Sequence, residues 1–319
     1  MNVTRTSHQF LLGLPYASEF INCVDFHTVC QDYFGLPNTL VDAHVGVNVK
    51  GTPLDAYGHV LTTANMSGDG LRHRHDNNKW NIFNLVCACQ VNIEAEVLGL
   101  FASCIPQASA FHGLTLRKRQ TLVPDLKITP LPPKDDHLLE LKCFGYARYL
   151  HTRTGIRERG GAVNRRAARI DSEYRRKARN ADRKYNGTPP GVCGPVQTRL
   201  KSYGHIWGLA IGPRGEISKD LERLIDASAK IGAERKWRAM GSRSQREAAA
   251  VLKNAMRRRI GVVAVRENAR LKRERLAIIL SPRTAGPLPL DGALLRTDTS
   301  TLATNRTCST SPGDGGRRL

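Results

Sequence analysis

Acidic residues are scarce in this chain: 28 Asp and Glu stand against 49 Lys and Arg over 319 residues, giving a net charge of +21 and a pI near 10.1. A surplus of that size calls for a polyanionic partner, and nucleic acid is the simplest one. Aromatic residues are scarce too, at 6%. That argues against a surface for stacking unpaired bases and favours contact with the backbone of a duplex. No run of about 18 apolar residues occurs, so no membrane span is expected. The absence of a G-x-x-x-x-G-K loop gives no indication of ATP use. The eight cysteines are scattered and follow no signal peptide. Reduced thiols in a nuclear or cytoplasmic protein, not a secreted one, are therefore expected. There is no internal repeat.

Against this background two short phrases stand out: Pro124-Asp125 in TLVPDLKIT, and Glu140-Leu141-Lys142 in HLLELKCFG. Each reads as a strand. In the second, Glu140 and Lys142 at i, i+2 share one face, while Leu139, Leu141 and Cys143 point to the other. A proline within a strand favours an edge or a bulge, which puts Asp125 where pairing is locally broken. Two carboxylates and one ammonium suit the hydrolysis of a phosphodiester. Hard oxygen ligands bind Mg²⁺, which keeps several of its own waters, and a cation stabilises charge on the non-bridging oxygens. The plainer alternative is a strand-end carboxylate at Asp125 and a solvent-facing ion pair at Glu140 and Lys142.

In sequence these phrases resemble the PD-(D/E)XK, or restriction-endonuclease-like, nuclease superfamily. The resemblance implies an α/β (α+β) fold, an αβββαβ core around a mixed sheet, with the Asp on the second strand and E-x-K on the third. Half of the motif also arises elsewhere, at Glu234-Arg235-Lys236, within a segment that reads as helix. Context favours the first match. Residues 76–89 read as a helix carrying Trp80, Phe83 and Cys87 on one side. IEAEVLGLF, at 93–101, reads as a strand alternating Glu94 and Glu96 with Ala95 and Val97. After the E-x-K strand, Val163, Ala167, Ile170, Tyr174, Ala178, Ala181 and Tyr185 recur at helical spacing as a narrow, alanine-rich stripe suited to close packing on a sheet. Residues 205–212, HIWGLAIG, read as a buried fourth strand.

A narrower resemblance lies upstream. LDAYGHVLTT and GDGLRHRHD are similar to the stretch before the endonuclease domain of non-LTR retrotransposon proteins, with Arg74-His75-Asp76 matching an Arg-His-Asn motif and His59 a knuckle histidine. The knuckle cysteines are absent, which argues against zinc there. No reverse-transcriptase signature is present, so a detached or truncated nuclease module is the expectation. Cys87 and Cys89 with His73 and His75 supply the residue types of a zinc site, but C-x-C is not the usual spacing.

The resemblance and the charge together assign roles. Asp125 and Glu140 would bind Mg²⁺ or Mn²⁺, Lys142 would orient the attacking water or stabilise the phosphorane, and Glu96 would be an extra catalytic carboxylate, with Asp76 its competitor. Arg74 and His75 would contact nucleic acid. So would Arg165, Arg166, Arg169, Arg176 and Arg179, which belong to a block of twelve Lys or Arg against four acids between Arg153 and Lys184. A second basic block, Arg257–Arg259 with Arg266, Arg270, Lys272, Arg273 and Arg275, repeats the pattern. DNA is expected over RNA.

The expected organisation is an N-terminal helical cap or remnant (1–50) with a helix at 18–33 ended by Gly35, a nuclease-like core (51–215), a basic helical extension (216–280) and a disordered tail (281–319). Within the extension, Ser244 and Glu247 form a capping-box pattern, and Gly232 and Gly241 bound a break between helices. The reading from sequence is thus a metal-dependent endonuclease, with a mobile-element origin implied by the upstream resemblance. The alternative is a non-catalytic basic nucleic-acid-binding protein or a decayed mobile-element fragment.

Overall fold

The computed structural model describes residues 6–12, 19–114, 122–129, 136–145 and 161–281. Apart from Ser281, the tail lies outside them, as do Arg153, Arg157 and Arg159 of the first basic block. The described chain is mixed α/β. Seven α-helices are described: α1 (Cys23–Phe34), α2 (His59–Thr63), α3 (Gly70–Ala88), α4 (Gly161–Tyr185), α5 (Pro195–Ser202), α6 (Lys219–Lys236) and α7 (Gln245–Leu280). A two-residue hairpin, β1 (Asn48–Val49) and β2 (Thr52–Pro53), precedes a four-stranded sheet of β3 (Asn92–Ala95), β4 (Leu126–Thr129), β5 (His137–Cys143) and β6 (Trp207–Ile211).

The sheet order is β3-β4-β5-β6, antiparallel for the first two pairings and parallel for the last. The parallel pair is linked through α4 and α5, as a parallel pairing requires a long crossover.

Alternation along the strands separates two cores. Leu126, Ile128, Leu139, Leu141, Leu209 and Ile211 face one way and pack with Ile82 and Val86 of α3, Leu224 and Ile225 of α6, and Met256 and Ile260 of α7. Leu138 faces the other way, against Ile170, Tyr174 and Ala178 of α4 and Val196 and Leu200 of α5. The sheet is thus covered on both faces. The alanine stripe of α4 is buried as expected, and it approaches β6 so closely that a Cβ on Gly208 would come within 2.5 Å of the Ala167 carbonyl.

Several boundaries differ from those read in the sequence. α1 starts at Cys23, because the Asn22 side chain caps it by accepting from the Asp25 N–H, and it ends on Gly35 with φ +69°. α3 begins at Gly70, six residues before the start expected at Asp76. β4 begins at Leu126, leaving Val123, Pro124 and Asp125 outside the strand. β3 stops at Ala95, because Glu96 turns into the left-handed region with φ +49°. Gly232 lies inside α6, where its missing side chain admits Cys89 and Leu252. The break expected between Gly232 and Gly241 falls at 237–244 instead, and Ser244 caps α7 by accepting from the Glu247 N–H.

The basic block of α7 does not form an external face. Lys272 and Arg275 are fully buried, the former bonded to Asp32 and the Tyr57 carbonyl, the latter to the Leu61 carbonyl. Arg273 reaches Asp25, Arg258 reaches Glu19, Arg270 reaches Glu267, and Arg257 reaches Glu222. Apart from Arg270, whose partner lies on the same helix, these cations hold α7 to the N-terminal segment, α2 and α6. The physical reason is that the apolar residues of α7 extend all round it, so its long cationic stems run through protein toward acids and carbonyls.

Candidate active site

The strand register brings the two phrases together. Leu126 pairs with Leu139 in an antiparallel ladder, so the next position outward sets Asp125 opposite Glu140. One oxygen of Asp125, Oδ2, accepts from the Leu141 N–H at 2.7 Å. That bond replaces the backbone pairing lost at the proline and fixes Asp125 beside β5. Glu140 and Lys142 share the face of β5 turned toward α4, and Lys142 Nζ lies 2.5 Å from Glu140 Oε1. The other oxygen, Oε2, meets the hydroxyl of Tyr174 at 2.7 Å. Tyr174 also reaches the Val123 carbonyl at 3.0 Å.

From the other side α3 contributes His75. Its Nε2 lies 3.3 Å from both Asp125 Oδ2 and the Leu141 carbonyl, and its Nδ1 lies 3.1 Å from Asp76 Oδ1. Four residues along the same helix, Lys79 is buried against Glu96 and 3.5 Å from Asp76. A chain of alternating charge therefore runs Glu96, Lys79, Asp76, His75, Asp125.

The electrostatics follow from this arrangement. Burial alone would lower the His75 pKa, but the hydrogen bonds to Asp125 and Asp76 and the Asp125 charge outweigh it and raise the imidazole to about 9. Burial would raise Asp125, yet His75, the Leu141 N–H and Lys142 hold it below the usual carboxylate range. Glu140 moves the opposite way: burial and then the Asp125 charge raise it against the pull of Lys142 and Tyr174. Two facing carboxylates thus titrate in opposite directions, as expected of a pair that repels in a confined site.

The remaining expected residues divide. Arg74 is buried, donating to Asn268 Oδ1 at 2.9 Å and to the Cys143 carbonyl at 3.2 Å. It ties α3 to α7 and to the end of β5, and its burial corrects the expectation that it meets phosphate. Glu96 is joined to the site through its backbone N–H, which donates to the Asp125 carbonyl, while its carboxylate pairs with Lys79. Arg165, Arg169, Arg176 and Arg179 are exposed on α4 and form no ion pair among the described residues. Arg166 is half-buried on Glu173 at 2.6 Å. Two adjoining clefts of about 240 and 210 Å³ continue this surface toward α5, sharing Arg179, Gln197 and Lys201.

His59 pairs with Asp55 at 3.1 Å and stacks on Tyr57. His73 and Cys87 lie fourteen residues apart on α3, roughly 21 Å at the helical rise. Among the described residues no group of three or more His, Cys, Asp or Glu side chains is placed to hold a metal ion, and no helix is long and apolar enough to cross a membrane.

Two participants were not singled out in the sequence. Lys79 lies at i+4 from His75 and i+3 from Asp76, a spacing that places all three on one helix face. Tyr174 was visible only as a member of the apolar stripe. Comparison with protein-family models, curated proteins and solved structures returns no match to this chain.

Proposed function

We propose that this protein is a metal-dependent endonuclease that hydrolyses phosphodiester bonds in nucleic acid, with duplex DNA as its substrate, on a restriction-endonuclease-like core. The element order α3, β3, β4, β5, α4, β6, with α5 inserted before β6, supports this reading. The observation that carries the reading is the place of Asp125, one residue before the Leu126–Leu139 pair and bonded to the Leu141 N–H, next to Glu140 with Lys142 on its carboxylate.

The donor set fits a hard divalent cation. Asp125 and Glu140 offer carboxylate oxygens, and the Leu141 carbonyl lies beside them at His75. Mg²⁺ is held by one or two carboxylates while keeping its waters, so a larger protein cage is not required, and Mn²⁺ accepts the same ligands. Bound there, the cation would supply electrostatic stabilisation to the charged phosphodiester. The chain's own residues do the rest. His75 and the Leu141 N–H fix the Asp125 carboxylate, and Lys142 supplies an ammonium whose remaining protons can orient water or neutralise phosphorane charge. Arg165, Arg169, Arg176 and Arg179 lie along phosphates, so affinity falls steeply with salt as counterions are released.

The test is nicking of supercoiled plasmid in Mg²⁺ by the wild-type protein beside Asp125→Ala and Lys142→Ala. Loss of at least about 100-fold in both variants is expected, the scale of removing a principal charge-stabilising group. Equal nicking by all three would assign the activity to a contaminant and defeat the reading. Tight duplex binding with no cleavage by any would favour the second reading, a non-catalytic nucleic-acid-binding protein. The observation in its favour is that, among the described residues, no group of three or more His, Cys, Asp or Glu side chains is placed to hold a metal ion.

A further inference from the structure

We propose that Tyr174 is the positioning residue for Glu140, and that through it the helix that meets nucleic acid also sets the cation site. This rests on the nuclease reading above and deepens it.

Tyr174 is 2% exposed and Glu140 5% exposed, so neither side chain has water as a ready substitute partner. The hydroxyl touches both arms of the site, at 2.7 Å from Glu140 Oε2 and 3.0 Å from the carbonyl of Val123, two residues before Asp125. One proton serves two acceptors. The Pro124-Asp125 segment lies outside the β4 ladder, so this contact is a side-chain tie between it and β5, beside the Asp125–Leu141 bond. Glu140 is then held at both oxygens, by Lys142 on Oε1 and Tyr174 on Oε2.

The ring itself is fixed from α4. Its neighbours Ile170 and Ala178 are buried in the same core, and Lys177 lies 4.4 Å over the ring centroid. On the opposite side of the same helix stand Arg169 and Arg176, both exposed. A helix that is clamped by phosphates on one side therefore presents, on its other side, the hydroxyl that orients a cation ligand. Burying a carboxylate without its hydrogen-bond donor is costly, so the hydroxyl favours the one Glu140 geometry that faces Asp125.

The experiment uses the full chain. Mn²⁺ binding is measured by calorimetry without nucleic acid for wild type and Tyr174→Phe, which removes one oxygen and keeps the ring. A roughly tenfold weaker Mn²⁺ affinity is expected, the scale of one hydrogen bond to a charged acceptor. Duplex affinity in EDTA should be unchanged. Cleavage should recover toward wild type at saturating Mn²⁺, unlike that of Lys142→Ala, which separates positioning from catalysis. Unchanged Mn²⁺ affinity in Tyr174→Phe overturns this proposal alone. Absence of Mn²⁺ binding by the wild-type protein overturns the nuclease reading and this one with it. If Tyr174→Phe is less stable, the decision passes to Glu140→Gln alone and combined with Tyr174→Phe. The tyrosine substitution should add no further loss of Mn²⁺ affinity once the carboxylate is gone, and an additive loss overturns the proposal.

Discussion

α4 and α7 look alike as sequences and behave oppositely as structures. Both are long, and both are dense in arginine. On α4 the cations Arg165, Arg169, Arg176, Arg179 and Arg183 are exposed, and the acids of the helix pair with other positions, Asp171 with Arg175 and Glu173 with Arg166. On α7 none of the eight basic residues from Arg257 to Arg275 is exposed, and Lys272 and Arg273 meet acids of α1, Arg275 a carbonyl of α2 and Arg257 an acid of α6. The apolar pattern explains the difference. α4 has one narrow buried stripe, so its other faces are open to solvent. α7 runs through the molecule, with Met256, Ile260 and Ala264 on the sheet-side core and Val262, Val265 and Ala269 against Phe10 and Val29. Net charge therefore says that a polyanion is a fitting partner, while the width of the apolar stripe says which cations can reach it.

The comparison breaks most visibly at Lys272. Its ammonium is fully buried 2.5 Å from Asp32, and Lys272→Met would leave that carboxylate facing protein without its cation. A loss of about 3–5 kcal/mol in denaturant unfolding is expected, with duplex affinity of the folded fraction unchanged. A loss of duplex affinity without loss of stability would add α7 to the interface proposed for α4.

His75 follows the α7 pattern, an embedded cation among acids, and its effect is smaller. Its folded pKa of about 9 lies above the ordinary value of 6.5, so its contribution is fully present below pH 6.5 and is lost as pH rises through 9. Metal-free protein should lose up to about 3 kcal/mol across that window. His75→Gln should flatten the slope, and an unchanged slope would show that the imidazole is not held as a cation between Asp76 and Asp125.

The smallest effect on folding belongs to α4. Replacing Arg165, Arg169, Arg176 and Arg179 with alanine should change stability by less than about 0.5 kcal/mol each. The same set should reduce the slope of log K against log salt by roughly 3–4, near 0.9 for each phosphate no longer neutralised. An unaltered salt slope would remove α4 from the interface and the contrast with it.

How much of this was legible in the sequence depends on what each signal reports. Spacing reports which face of an element is buried, and it placed the α4 stripe, the shared face of Glu140 and Lys142, and the Gly35 stop of α1. It does not report what lies across that face. Tyr174 therefore read as core although its hydroxyl lies on Glu140, and the α7 cations read as a surface although Asp25, Asp32 and Glu19 approach from more than 200 residues away. Glu96 was misplaced for a local reason. The alternation of 93–97 continues as a strand pattern past the point where the backbone turns left-handed, and a non-glycine residue gives no warning of that turn. Arg74 was misplaced because a motif resemblance carries identity and order, not burial.

The central claim is that Asp125 and Glu140 share one divalent cation. Crystals soaked in Mn²⁺ and measured at the manganese absorption edge test it directly. The account predicts an anomalous peak within about 2–2.5 Å of a carboxylate oxygen of each residue, lost in Asp125→Ala. A map with no peak there, with Asp125 still on the Leu141 N–H and Glu140 still between Lys142 and Tyr174, would contradict it.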